Sequence, residues 1–260
     1  MDYETIILDK NNSIGKLTFN RPKVMNAYNE LVSSEIIDGI NKLSSDEEIR
    51  VIVLTGAGKA FMAGADISMV NQWAAMGETL KIRKILESMF NPNMLEDCSK
   101  MTVAAINGLA FGMGCEIALA CDFRIAVEDA KFALPEIKIG VVPGAGGTQR
   151  LPRIVGETHA MEMITTGDPI DANDAYRIGL VNKVVPKDQL WSAVEAFADR
   201  LRDKSTAALD ICKKLIYQGG NLSQRQGVKY ERDRFCEVLL TDGAKEGTTA
   251  FLEKRKPEFK

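Results

Sequence analysis

The chain has 260 residues, 45% of them hydrophobic and 27% charged, with a formal net charge of -3. That length suits one large α/β domain, or a core with a small helical appendage. The charge balance gives no basis for nucleic acid or an anionic membrane as the main partner.

Tyr3 to Leu8 and Ile14 to Phe19 read as two strands around a polar Asn11-Asn12 turn, broken after by Arg21-Pro22-Lys23. Val32, Ile36, Ile40 and Leu43 then fall at helical spacing on one face, and Val51 to Leu54 is a short apolar run fit for a buried strand ended by Gly56-Ala57-Gly58. Phe61 to Asp66 reads as a loop of small residues, with Asp66 placed to cap a helix from Ile67. A longer helix is expected over much of Thr79 to Leu95, and a buried strand at Val103 to Ile106. Gly112 to Gly114 opens a helix over Cys115 to Ala120, followed by a strand at Phe123 to Val127 and an extended piece at Lys131 to Leu134. From about residue 145 the pattern turns helical. His159 sits at what looks like an exposed helix start. Leu190, Val194, Phe197, Ala198 and Leu201 form one amphipathic stripe, and further helices cover roughly 205–217, 222–239 and 243–254. Strands alternating with helices and then a helical tail predict a layered α/β core with an α-helical C-terminal part. No sequence repeat is visible.

His159 is the only histidine, and the five cysteines (98, 115, 121, 212 and 236) contain no CxxC pair. A nucleophilic triad or a zinc site finds little to build on, so acid–base chemistry falls to carboxylates, with no metal expected. An odd number of cysteines suits a reduced compartment. Met1-Asp2-Tyr3-Glu4 lacks a basic and an apolar targeting region, and no stretch approaches a membrane span, so a cytoplasmic protein is expected.

Glu116 lies in a helix whose neighbours Ile117, Ala118, Leu119 and Ala120 offer no polar face. A carboxylate there is either a helix-start acid helped by the dipole or a desolvated acid–base group. Glu136 is also set among apolar residues, beside Pro135; Lys138 two residues on allows a simple solvated ion pair as the alternative. Twenty residues comprising a helix, a strand and a turn can return both carboxylates to one cleft, where such a pair does general acid–base work. Seven of the 21 glycines fall between residues 108 and 147, which suits tight turns or amides brought close to a ligand. Phe61 to Asp66 and Gly112-Met113-Gly114 each place small residues before a helix, where free amides can hold an oxyanion. Pro143-Gly144-Ala145-Gly146-Gly147-Thr148 lacks the Gly-Lys-Ser/Thr ending of a phosphate loop and is not a dinucleotide fingerprint, so it reads as a tight turn into a helix.

Several separated segments together carry a resemblance. They are Asn20-Arg21-Pro22-Lys23 with Met25-Asn26-Ala27, Phe61 to Ile67, Ala105 to Gly108 with Gly114-Cys115-Glu116 and Cys121-Asp122, Pro135-Glu136 with Pro143 to Leu151, Gly179-Leu180-Val181, and Ala250 to Arg255. In this order and spacing the chain resembles the crotonase superfamily, the enoyl-CoA hydratases and isomerases, over essentially its whole length. The resemblance implies a right-handed spiral of ββα units over residues 1–195 and a C-terminal α-helical trimerisation region over 196–260, assembled as a trimer or a dimer of trimers. It implies an acyl-CoA substrate, with CoA as part of that substrate and no separate cofactor. The amides of Ala65 and Met113 would form the oxyanion hole, Glu116 and Glu136 the catalytic pair, and Gly144 would help hold the water. Lys23, Val24, Met25, Ala63, Asp66 and Ile67 would line the CoA, and Phe251 and Lys254 would bind its nucleotide end from a neighbouring subunit.

Met113 stands where the hydratase pattern usually has Gly, and must avoid a positive φ. Ala133-Leu134 stands where it usually has Gly-Gln. Both changes bear on the acyl pocket, so a dienoyl-CoA of aromatic or alicyclic acid degradation is an alternative to a short straight-chain enoyl-CoA. Within the same family an isomerase is the rival, disfavoured by the presence of both glutamates. An RNA- or scaffold-binding member ranks low, since Lys254-Arg255-Lys256 is only a local basic cluster.

Overall fold

The computed structural model describes residues 3–259, leaving Met1 and Asp2 of the terminus read above outside it. β1 (Ile6–Asn11) and β2 (Ile14–Phe19) form an antiparallel hairpin. Asn12 and Ser13 both take positive φ at its turn, the backbone that a two-residue hairpin needs. α1 (Glu30–Ser45) starts at Asn29, whose side chain accepts from Val32 N, and buries Val32, Ile36, Ile40 and Leu43. The predicted stripe is therefore its core face.

The next strands come in pairs: β3 (Val51–Gly56) with β4 (Ala60–Met62), β5 (Met101–Ile106) with β6 (Leu109–Phe111), and β7 (Phe123–Val127) with β8 (Lys131–Ala133). The first members stack in parallel in one sheet, ordered β1-β2-β3-β5-β7-β10, where β10 is Lys183–Val185. The second members stack in another, ordered β4-β6-β8-β9, where β9 is Ile170–Asp171. Each strand pair is one turn of a spiral, a structural repeat without a sequence repeat. The central strands are buried along their length, which explains why they read as apolar runs rather than alternating ones.

α2 (Ile67–Met76) begins at Asp66, whose carboxylate accepts from Ser68 N as predicted. The single helix expected over Thr79 to Leu95 is corrected: α3 (Thr79–Ser88) ends before Pro92, and α4 (Asn93–Asp97) restarts after it. Proline has no N–H to continue the helix and its ring clashes with the preceding turn. The loop read at Phe61 to Asp66 begins inside β4, and β6, β9 and β10 were not expected. All four have only two or three residues, too few for a periodic signal.

α5 (Met113–Ala120) is buried at every residue, as its composition predicts. α6 (Gly147–Thr166) is kinked at Gly156, with φ 80, so His159 does lie near a helix restart. α7 (Ala172–Arg177) and α8 (Leu190–Arg202) follow, with α8 lying on β3, β5 and β7 across the residue-195 boundary. α9 (Thr206–Gly219), α10 (Gln224–Leu239) and α11 (Asp242–Leu252) pack on one another. Lys213 on α9 is buried and donates to Asp122 Oδ2 at 2.9 Å and to the carbonyls of Leu95 and Lys100. That ion pair ties the helical tail to the core just beyond α5. Among the described residues no helix is long and apolar enough to cross a membrane.

Candidate active site

The turn before α5 organises the site. Gly112 takes φ 49 and its N–H donates to the Ala133 carbonyl at 3.0 Å, joining the end of β8 to the start of α5. The positive φ falls on Gly112, so Met113 enters as an ordinary first helical residue and its departure from glycine costs no backbone strain. Pro135 starts a short 3-10 turn, Pro135–Ile139, that carries Glu136. A Cβ placed on Gly112 would sit 3.0 Å from Glu136 Oε1 and 3.5 Å from the Gly64 α-carbon. The turns preceding Met113 and Ala65 therefore abut, with Glu136 against them. Only glycine allows that approach.

Residues 25–28 and 63–66 are laced together. Ala63 N donates to Met25 O, Tyr28 N to Gly64 O and Asp66 N to Tyr28 O. The Ala65 amide takes no part in this lacing, and the Met113 amide is at the first position of a helix, where it has no intrahelical acceptor. Asn26, 1% exposed, holds the segment down by donating to the carbonyls of Ala57, Ala60 and Phe61.

The two glutamates differ in their surroundings. Glu116 is 3% exposed, and its Oε1 accepts from Ala145 N at 2.7 Å and Gly147 N at 2.9 Å. Burial pushes its carboxyl above the ordinary range; the two amides and the Arg150 charge pull against that rise. Glu136 is half-buried, yet its Oε2 is closed from solvent with no hydrogen-bond partner. Burial lifts it to about 7, its own backbone amide opposes this, and the Glu116 charge adds to it. The neighbouring Cys115 thiol is also pushed up by burial and by both carboxylates. The Lys138 ion pair offered as the alternative for Glu136 goes instead to Asp168 at 2.7 Å.

Gly144 is exposed on the loop just before Ala145, with nothing within 4 Å of a Cβ placed there. Lys23, Val24 and Met25 are exposed on the turn bound to Ala63, and Ile67 is exposed at the start of α2. Asp66 is engaged as that helix's cap, donated to by both Ser68 N and Ser68 Oγ. Phe251, 83% exposed, and Lys254 lie on and just after α11 in the helical tail. The structure thus groups Ala65, Met113, Glu116, Glu136 and Gly144 around one turn, and places Lys23 to Met25 with Ala63 beside them.

Two hollows lie elsewhere. One of about 700 Å³ is walled by Phe123, Phe197, Leu201 and Leu209, and one of about 230 Å³ adjoins His159. Neither contains a residue put forward from the sequence for catalysis or CoA binding. Desolvated carboxylates facing free amides mark the site better than volume does. Among the described residues no group of His, Cys, Asp and Glu is arranged to hold a metal ion.

Sequence reading gave no role to Arg150 or Glu96, and marked Leu134 only as a departure at the acyl pocket. Arg150 lies four residues beyond Gly146 in the first turn of α6, so its side chain curls back over the loop. Leu134 is fully buried beside Gly147, where a Cβ would meet its Cδ1 at 3.0 Å. An arginine at i+4 from the last turn glycine was the available signal for the first; Glu96 had none, because its partner is remote in sequence.

A spiral of strand pairs stacked in parallel sheets and followed by C-terminal helices is the architecture of the crotonase fold. The chain matches the family model Enoyl-CoA hydratase/isomerase over residues 9–260, and it belongs to that family. It is 42% identical to a crotonyl-CoA hydratase of Syntrophomonas wolfei over all of this chain and 99% of that one. It is 39% identical to a short-chain-enoyl-CoA hydratase of Clostridium acetobutylicum over 99% of this chain and 98% of that one. The crystal structure of an enoyl-CoA hydratase from Bacillus anthracis superposes with a TM-score of 0.90 at 35% identity, covering 99% of each chain.

Proposed function

We propose that this protein is an enoyl-CoA hydratase, a hydro-lyase acting on short enoyl-CoA thioesters in fatty acid metabolism. The observation that carries the reading is the unequal pair of carboxylates, Glu116 held by two amides and Glu136 held by none on Oε2, on either side of the turn that frees the Met113 amide.

The thioester oxygen accepts from the amides of Ala65 and Met113, which stabilise the enolate-like charge as it grows. Glu116, favoured as carboxylate by its two donors, takes a proton from water near Gly144 while the water oxygen bonds to the β-carbon. Glu136, raised to about 7 by burial, retains a protonated population at neutral pH and gives its proton to the α-carbon. Water is thus split between the two carbons, and the proton taken by Glu116 replaces the one Glu136 gave. CoA is part of the substrate, and the two amides do the polarising that another enzyme would assign to a metal. Lys23, Val24, Met25, Ala63 and Ile67 offer the exposed surface for the CoA chain. Asp66 acts there as the cap that sets the α2 start.

Similarity to a crotonyl-CoA hydratase and a short-chain-enoyl-CoA hydratase favours a short straight acyl chain. A trimer or a dimer of trimers is proposed from the apolar face of the tail, where Ile216, Phe235, Leu240, Phe251 and Leu252 are all more than half exposed. Phe251 and Lys254 then reach a neighbouring subunit's nucleotide. A reducing, cytoplasmic setting fits five free cysteines, three of them buried.

The test is loss of enoyl-thioester absorbance with crotonyl-CoA, cyclohex-1-ene-carbonyl-CoA and cyclohexa-1,5-diene-carbonyl-CoA, for wild type, Glu116→Gln and Glu136→Gln. Rapid loss with crotonyl-CoA that either substitution lowers by about 10³-fold or more supports the reading. Loss with only a cyclic thioester moves the substrate to the alicyclic class. No loss with any of them, while CoA still binds, overturns the hydratase assignment.

A further inference from the structure

The glycine-rich stretch at 143–147, which matches no phosphate loop, ends in a guanidinium cradle. Arg150 Nη1 donates to the Ala145 carbonyl at 2.8 Å. Its Nε donates to Glu96 Oε1 at 2.5 Å, and its Nη2 to Asn93 Oδ1. Gly146 has φ 106, and any Cβ there would overlap the guanidinium. Arg150 and Glu96 are largely buried, with side-chain exposures of 11% and 21%. The carbonyl that Arg150 holds lies between the two amides that grip Glu116 Oε1, those of Ala145 and Gly147.

We propose that Arg150 is a positioning residue for Glu116: anchored by Glu96 and Asn93 on α4, its planar fork fixes the 144–147 loop so that the Ala145 and Gly147 amides stay aimed at the Glu116 carboxylate. The inference rests on the reading above that Glu116 activates water. A planar guanidinium suits the task because it holds its three acceptors around one rigid plane from three separate nitrogens, where an ammonium offers all its donors from a single freely rotating nitrogen. It also makes two of the loop's three glycines intelligible: Gly146 admits the guanidinium, and Gly147 admits Glu116 Oε1, 3.1 Å from where a Cβ would stand.

The titratable groups near Glu116 are Glu136 across the site, the neutral Cys115 thiol on its own helix and the Arg150 guanidinium on α6, with Glu96 behind Arg150. Arg150 opposes the upward shift that burial imposes on Glu116. Removing the arginine therefore raises the Glu116 value further, and the acidic limb of kcat/KM moves to higher pH.

The experiment compares Arg150→Met, Arg150→Lys and Glu96→Gln in the wild-type and the Glu116→Gln backgrounds, with crotonyl-CoA as substrate and melting temperature followed alongside. The expected result for Arg150→Met is a kcat about 10–100-fold lower with KM changed by less than about 3-fold, and an acidic limb displaced upward. Arg150→Lys and Glu96→Gln give smaller losses of the same kind, and carry the test if Arg150→Met does not fold. In the Glu116→Gln background all three are nearly silent, within about 2-fold, because the group they position is gone. Losses that multiply fully in that background, or an unmoved acidic limb, overturn the inference while leaving the hydratase reading intact. Full activity of Glu116→Gln by itself overturns both.

Discussion

Glu136→Gln should abolish hydration and at the same time stabilise the protein at alkaline pH. The Glu136 carboxyl moves from an ordinary 4.5 to about 7 on folding, chiefly through burial. A folded value above the unfolded one means the native state binds more protons than the unfolded chain between those two pH values, so stability falls as pH rises through that window and stays low above it. At ~1.4 kcal/mol per tenfold change, the full shift corresponds to about 3 kcal/mol. Glu136 is half-buried, and solvent screening reduces this to about 1–2 kcal/mol. Glutamine cannot ionise, so the variant lacks this fall. Any cost of burying its amide is the same at every pH and drops out of the comparison. Melting temperatures at fixed protein concentration from pH 5 to 8.5 should therefore show the variant gaining on wild type by about 2–8 °C as pH rises. A difference that stays constant across the range would refute the claim that Glu136 is ionised at a cost in its buried site.

Gly147→Ala should lower kcat by at least about 10-fold with a modest loss of stability, because its Cβ would stand 2.9 Å from Pro143 Cβ, 3.0 Å from Leu134 Cδ1 and 3.1 Å from Glu116 Oε1. Steady-state kinetics with thermal unfolding separates the two effects. Lys213→Met leaves Asp122 buried without its cation and should cost about 3–5 kcal/mol, against about 0.5 kcal/mol or less for Lys214→Met, whose partner Asp210 is in a more exposed pair. Urea unfolding of the two variants side by side checks the contrast.

Much of the site was legible in the chain because its signals are local. An acid in a helix with no polar face, as Glu116 is, must be desolvated wherever that helix packs, and all eight residues of α5 are buried. The Gly112 turn, the Asp66 cap and the apolar runs of β3 and β5 are likewise written in a few consecutive residues, and the structure contains each. The spiral itself was not visible in composition or spacing. Of its second strands only β8 was marked, as the extended piece at Lys131 to Leu134; β4 and β6 have three residues each and are held by neighbours from other turns of the spiral, a long-range pairing that leaves no period in the sequence. The break at Pro92 was locally marked and still overlooked within an otherwise helical stretch.

The sequence by itself determined which groups can do chemistry: carboxylates in place of histidine, and backbone amides exposed by glycine turns. Tertiary structure decided how each carboxylate is equipped. Ala145 and Gly147 amides reach Glu116 across some thirty residues of chain, Glu96 reaches Arg150 across fifty-four, and Glu136 Oε2 is closed from solvent without a partner. Proton affinity depends on desolvation and on donors brought in from distant segments, and those exist only once the spiral has closed.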